Sequence, residues 1–202
     1  VEELKAMRNV SLRTRMTGAG VYDHGYFLGY EQLNDHTEDN FGPRHRLWTV
    51  RSKLIVCCTG AIERPLSFAG NDIPGVLLAS AVRDYALNYG VSVGKKTVVV
   101  TNNDDAYKTA IILKESGFER PVILDAREHG GGEAAAKARA LGIRVEQGKE
   151  ISRVTGRKRV TGIHVSLSFG DGETIEKLAC DAVAMSGGWS PVVHLWSHCG
   201  GK

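Results

Sequence analysis

The sequence predicts an α/β protein in which a βαβ unit is inserted into a second sheet. Three observations carry this. First, KTVVVTN (96–102), DDAYKTAIILKESG (104–117) and PVILDAR (121–127) read as buried strand, helix and buried strand, a succession that demands a parallel pair with a right-handed crossover. Second, residues 9–33 and RLWTVR (46–51) are rich in β-branched and aromatic residues and read as an antiparallel meander. Third, LIVCC (54–58) is apolar without alternation, the pattern of a central strand buried on both faces.

The remaining elements follow in order. The polar stretch 34–45 is a loop or long hairpin turn. After a Pro/Gly-punctuated link (65–75), LLASAVRDYALNYG (77–90) places Val82, Tyr85, Ala86 and Tyr89 on one helical face, with Gly90 suited to its end. EAAAKARALG (133–142) is a further helix by propensity. IRVEQG, EISRVTG and RVTGIHVSLSF (143–169) read as strands, the last two joined by the solvated basic turn GRKR (156–159). A final buried strand lies in LACDAVAMSGG (178–188). The expected organisation is an outer domain begun by 1–75, an inserted unit over 76–148, and a return to the outer domain over 149–202.

Composition narrows the function classes. Of 202 residues, 42% are apolar and 24% charged, with a net charge of +3 and interleaved signs, which favours neither a nucleic-acid nor a membrane partner. No apolar run approaches the roughly 18 residues of a membrane-spanning helix. The four cysteines, Cys57, Cys58, Cys180 and Cys199, include no CxxC pair and read as reduced thiols of a cytoplasmic protein. The two ends read as cuts from a longer polypeptide.

Candidate chemistry concentrates at strand ends. A dinucleotide-binding turn uses GxGxxG so that backbone N–H groups can approach the pyrophosphate. Here the turn is Thr101-Asn102-Asn103-Asp104-Asp105-Ala106, without glycine. Asp104 and Asp105 are expected at the N-cap and first turn, where they satisfy the helix's free N–H groups and repel phosphate. Asp125 ends the next strand near the position of a ribose-binding acid. The inserted unit therefore reads as a Rossmann-like shape without its ligand.

Thr59-Gly60 and Gly187-Gly188 both follow buried strands, and are expected in one outer sheet as either ligand-facing strand ends or plain tight turns. Glu63, Arg64 and Asp72 read as a structural hydrogen-bonding clamp rather than catalysts. His194 and His198 have the i, i+4 spacing of zinc ligands but lack a third partner, so packing is the expected role of HLWSHC. Neither a catalytic residue nor a metal site is predicted.

Four stretches, VYDHGY (21–26), CTGAIERPLSFAGNDIPGVLLASAV (58–82), TNNDDAY (101–107) and MSGGWSPVVHLWSHCGGK (185–202), together resemble the alpha subunits of heterotetrameric sarcosine oxidase. The likeness runs from about Leu12 to Lys202. It implies a two-dinucleotide-binding (FAD/NAD(P)) fold of the glutathione-reductase-like class. It also implies an enzyme that oxidatively demethylates sarcosine, with FAD and covalent FMN passing electrons to oxygen and tetrahydrofolate taking up the one-carbon unit. The partners implied are beta, gamma and delta subunits, with this subunit holding NAD. Carried onto RMTGAGVYD (15–23), the resemblance makes Thr17 and Gly18 backbone contacts near the adenosine end, with Thr59 and Gly60 closing the floor. It makes this region inactive in isolation. Two other readings stay open: a stand-alone NAD(P)H-dependent flavin reductase, and a non-enzymatic nucleotide-binding assembly module.

Overall fold

A computed structural model describes residues 1–35, 41–118 and 121–200, which divide into two compact units, 1–60 with 191–202 and 61–190. Much of the expected turn at 34–45 lies outside the described residues.

The first unit opens with helix α1 (Glu2–Ala6) and continues into the predicted meander: β1 (Met16–Tyr22), a 3₁₀ turn at Asp23–Gly25, β2 (Tyr26–Gln32) and β3 (His45–Arg51). All three strands pair antiparallel in sequence order. On this sheet the buried Glu31 carboxylate accepts the Trp48 indole N–H at 2.6 Å. Arg13 and Arg46 lie over the same ring, 4.6 and 5.5 Å from its centroid, so the buried charge has both a donor and nearby cations.

Residues 54–58 are not the buried central strand that the apolar run predicted. They carry no ladder hydrogen bonds among the described residues, and Leu54 and Val56 are 79% and 74% exposed. An apolar run reports a strand buried on both faces only when neighbours cover both, and none of the described strands flanks this one.

The second unit runs through β4 (Ala61–Glu63), β5 (Val76–Leu78), α2 (Ala79–Tyr89), β6 (Thr97–Thr101), α3 (Asp105–Glu115), β7 (Val122–Asp125), α4 (Gly132–Ala140) and β8 (Arg144–Gln147). It continues through β9 (Lys149–Gly156), β10 (Val160–Leu167), β11 (Glu176–Leu178), β12 (Ala182–Ser186) and β13 (Trp189–Pro191). Helix α5 (His194–His198) belongs to the first unit.

Strands β5, β12, β6, β7 and β8 form one parallel sheet in that order. Its central strands β12, β6 and β7 are largely apolar on both faces because both are covered. Val99, Ile123 and Ala184 face helices α2, α3 and α4, packing with Tyr107, Leu113 and Ala138. Val98, Val100, Leu124 and Val183 face the antiparallel meander β9–β11, packing with Ile151, Val154, Ile163 and Val165. Arg157–Arg159 make the exposed turn between β9 and β10.

The division differs from the expected one. Residues 149–190 stay with the second unit instead of returning to the outer sheet, and β12, with Gly187-Gly188 behind it, lies between β5 and β6. All five β12 residues are buried, and such a strand needs a ladder on each side and cover on each face. The meander, read as the start of a return, supplies that cover. Among the described residues no helix is long and apolar enough to cross a membrane.

Candidate functional site

Ligands in open α/β sheets bind at the carboxyl ends of the strands, where strand order reverses. In the second unit this edge is formed by the residues after β5, β12, β6 and β7. Asn103, after β6, accepts the Asp105 N–H at 3.1 Å on its side-chain oxygen and donates to Ser186 Oγ at 3.0 Å and Ser186 O at 3.2 Å. Asn103, not Asp104, thus caps the first turn of α3 and ties it to β12.

Asp104 reaches sideways instead. Its Oδ1 accepts the Gly131 N–H at 3.0 Å and Arg127 Nη2 at 2.6 Å. Asp105 pairs with Arg83 and Lys108 at 3.2 and 2.9 Å. The two aspartates predicted as caps are therefore used as ion-pair partners; side-chain amide geometry, invisible in the sequence, gave the cap to their neighbour.

Asp125 is fully buried and accepts Tyr107 Oη at 2.7 Å, Arg127 Nη2 at 2.8 Å, and Arg127 Nε and backbone N–H at 3.0 Å. Its two oxygens are committed to Tyr107 and Arg127. Burial, then the hydrogen bond to Asp125, pushes the Tyr107 phenol well above its ordinary range. Side-chain hydrogen bonding to Asp125 leads the causes that raise Arg127. The crevice at the strand ends of this Rossmann-like unit is thus spanned by Asp104, Arg127 and Asp125. Asp104 brings a carboxylate into the turn between β6 and α3, where a phosphate loop would lie, and a carboxylate there repels phosphate, so these residues do not fit a dinucleotide in the second unit.

Glu63 answers for the acid beside the Thr59-Gly60 turn. It is 4% exposed, and its Oε2 accepts both the N–H and the hydroxyl of Ser80, at 2.9 and 2.6 Å, in the first turn of α2. Among the described residues its other oxygen, which is buried, has no hydrogen-bond partner. The neighbouring Arg64 carbonyl accepts the Gly187 N–H at 2.7 Å. A Cβ on Gly187 would stand 2.9 and 3.0 Å from the Pro65 and Arg64 carbonyl oxygens, so this glycine is there for backbone approach. Replacing Glu63 by alanine is expected to cost about 1–3 kcal/mol, through the lost cap and the Ser80 donors left behind. Denaturant unfolding of E63A against E63Q reads it: the amide keeps an acceptor, so E63Q should lose less. Equal losses would mean that the cap contributes nothing.

In the first unit, Thr59 Oγ1 donates to the Val192 carbonyl. The Val192 N–H returns a 3.0 Å bond to the Gly60 carbonyl. Thr59 and Gly60 line a cleft of about 350 Å³ with Val192, Val193 and Trp196. That volume suits a small ligand. Among the described residues its lining carries no charged side chain, which fits an adenine or ribose end and leaves any pyrophosphate contact to backbone N–H groups.

Thr17 and Gly18 sit on β1 and are not among the residues lining that cleft. A Cβ on Gly18 would meet Leu195 and Phe27 at 3.2 Å, so packing against α5 and β2 accounts for its small size. His194 and His198 share α5, and the His198 ring stacks on Tyr22 at 6.2 Å. Among the described residues no three His, Cys, Asp or Glu side chains gather as metal ligands. Arg127, missed in the sequence, had one signal: it follows Asp125 by two residues at a strand end.

The architecture is the α/β fold of dinucleotide-dependent oxidoreductases. Solved structures place it there: thioredoxin reductase from T. acidophilum superposes with a TM-score of 0.68 at 16% identity, over 96% of this chain and 59% of that one. L-proline dehydrogenase from P. horikoshii gives 0.63 at 20% identity, over 97% and 32%. An NAD-dependent persulfide reductase from A. fulgidus gives 0.64 at 13%, over 98% and 35%. No family model matches the chain.

Among curated proteins, the sarcosine oxidase alpha subunit of Rhizobium meliloti (strain 1021) is 37% identical over 203 residues, covering 100% of this chain and 20% of that subunit. The alpha subunit from Corynebacterium sp. (strain P-1) is 37% identical over 209 residues, covering 100% and 21%. Over its whole length the chain is related to the sarcosine oxidase alpha subunits, and it spans about a fifth of theirs.

Proposed function

We propose that this chain is the dinucleotide-fold region of the alpha subunit of a multi-subunit sarcosine oxidase. In this reading it acts beside beta, gamma and delta subunits in the oxidative demethylation of sarcosine, with FAD and FMN carrying electrons and tetrahydrofolate accepting the one-carbon unit. The observation that carries the reading is the 37% identity to named alpha subunits along the entire chain.

NAD is assigned to the first unit. Thr59 and Gly60 would offer backbone groups to its adenosine end, with Thr17 and Gly18 placed nearby by the resemblance. The neutral cleft at Thr59 supports this, as does the second unit's crevice, already filled by Asp104 and Arg127. NAD supplies hydride chemistry wherever it is free to react; here this chain's residues would only bind and orient it. None is assigned a proton or a nucleophilic attack.

The test is purification of the native assembly, identification of its chains, and measurement of sarcosine-dependent oxygen uptake with NAD extracted and quantified. The expected result is sarcosine oxidation by a complex containing a flavin-bearing partner, with one NAD per alpha chain. The variant G60V, which sets a branched side chain at a cleft-lining position with φ +74°, should lose NAD while the second unit keeps its stability. A chain that arrives alone and oxidises NADH would overturn the subunit reading in favour of a self-sufficient reductase. An intact complex whose NAD survives G60V would overturn the placement alone.

A further inference from the structure

We propose that the second unit carries a binding site, at the edge of its sheet opposite the Asp104–Arg127 crevice, for a small monocarboxylic acid with an apolar body. A cavity of about 540 Å³ opens there, between the start of β6, the end of α3, the start of β7 and the passage from β11 to β12. Its lining includes the apolar Val98, Phe118, Val122 and Leu178 and two cations, Lys96 and Lys114. The volume falls within the roughly 300–1,000 Å³ of small-molecule pockets, which are mostly apolar with a few convergent polar groups.

The two lysines are what call for an acid. The carboxylates adjoining these lysines in the described chain are engaged elsewhere: Glu115 with Lys137 at 3.1 Å, and Asp181 with the backbone N–H groups of Lys95 and Lys96 at 3.0 and 2.7 Å. Among the described residues neither Lys96 nor Lys114 forms an ion pair. Lys114 stands in the last turn of α3, where a cation complements the helix dipole; Lys96 immediately precedes β6 and has no such task. Thr97, Ala179 and Cys180 complete the lining; the Cys180 thiol is buried and pushed up to about 12 by desolvation, so it stays neutral and behaves as apolar surface. A carboxylate held between two ammonium groups, its chain laid over Val98, Val122 and Leu178, satisfies both halves of the site. An alcohol of the same chain leaves the cations without a partner, and a short acid leaves the apolar wall uncovered.

Octanoate is the probe, applied to the native assembly, with octanol and acetate as controls. The readout is acetylation of Lys96 and Lys114 by acetic anhydride, followed by peptide mass spectrometry. Octanoate should slow modification of both lysines, with Lys149, paired to Glu146, as the internal reference. Octanol and acetate should not. In K114Q, octanoate protection of Lys96 should need about two- to fivefold more ligand, the worth of one partly exposed ion pair. Protection by octanol or acetate equal to that by octanoate would overturn the proposal, as would no protection at all, or protection of Lys96 unchanged in K114Q. These results read the two lysines directly and do not depend on sarcosine turnover.

Discussion

Replacing Arg127 by alanine should lower the unfolding free energy of the second unit by about 2–4 kcal/mol, below the full penalty for orphaning a buried charge because Arg127 itself is 36% exposed. The source of the loss is Asp125, whose carboxylate is 0% exposed and would keep only the Tyr107 hydroxyl and one backbone N–H. Urea unfolding of R127A, D125N and R127A/D125N checks this. Because the cost comes from a charge left unpaired, D125N in the R127A background should recover at least half of it. A single variant within about 0.5 kcal/mol of the parent would remove the buried-charge account, since that is the range of ordinary surface substitutions.

The same cluster carries a pH signature. The Arg127 hydrogen bond is the leading cause that holds the Asp104 carboxyl below its usual value of 3.8. A carboxyl lowered on folding contributes stability above that value and loses it as pH falls through the folded value. The parent should therefore lose stability on acidification more steeply than R127A, where the cause is gone. Parallel acid limbs for the two proteins would contradict the assignment.

Gly131→Ala should cost about 2–4 kcal/mol, and Gly132→Ala only about 1 kcal/mol, although both residues have positive φ. Gly131 has φ +83°, and its Cβ would lie 2.5 Å from Cζ of the Tyr107 ring. That ring cannot retreat: Tyr107 is fully buried and its hydroxyl is held by Asp125. Gly132 has φ +43° with nothing within 4 Å of an added Cβ. The difference between the two variants, read by thermal unfolding, isolates the collision from the backbone strain they share. Equal losses would show that strain alone matters.

Much of the inserted unit is legible in the sequence, because its signals are local. The Val82–Tyr89 spacing marks α2, and Gly90 ends it in the left-handed conformation that glycine tolerates; in the first unit, alternation and β-branching likewise mark β1, β2 and β3. The absence of glycine in Thr101–Ala106 is likewise enough to argue against a phosphate loop, a conclusion about charge and backbone access that needs no coordinates.

Where the reading failed, the deciding quantity was a neighbour distant in sequence. Residues 54–58 and 182–186 are both short apolar runs, yet the first lies exposed and the second is buried between β5 and β6. Nothing within either run distinguishes them; pairing partners do. The capping role passed from Asp104 to Asn103 for a similar reason: Gly131 and Arg127, 27 and 23 residues away, compete for the Asp104 carboxylate. Residue chemistry and local period thus determined by themselves the α/β class, the elements of the inserted unit and the want of glycine in its first strand-to-helix turn. Tertiary structure alone decided which sheet received β12 and which side chains filled the crevice, because ladder pairing and ion pairing join residues that the chain keeps far apart.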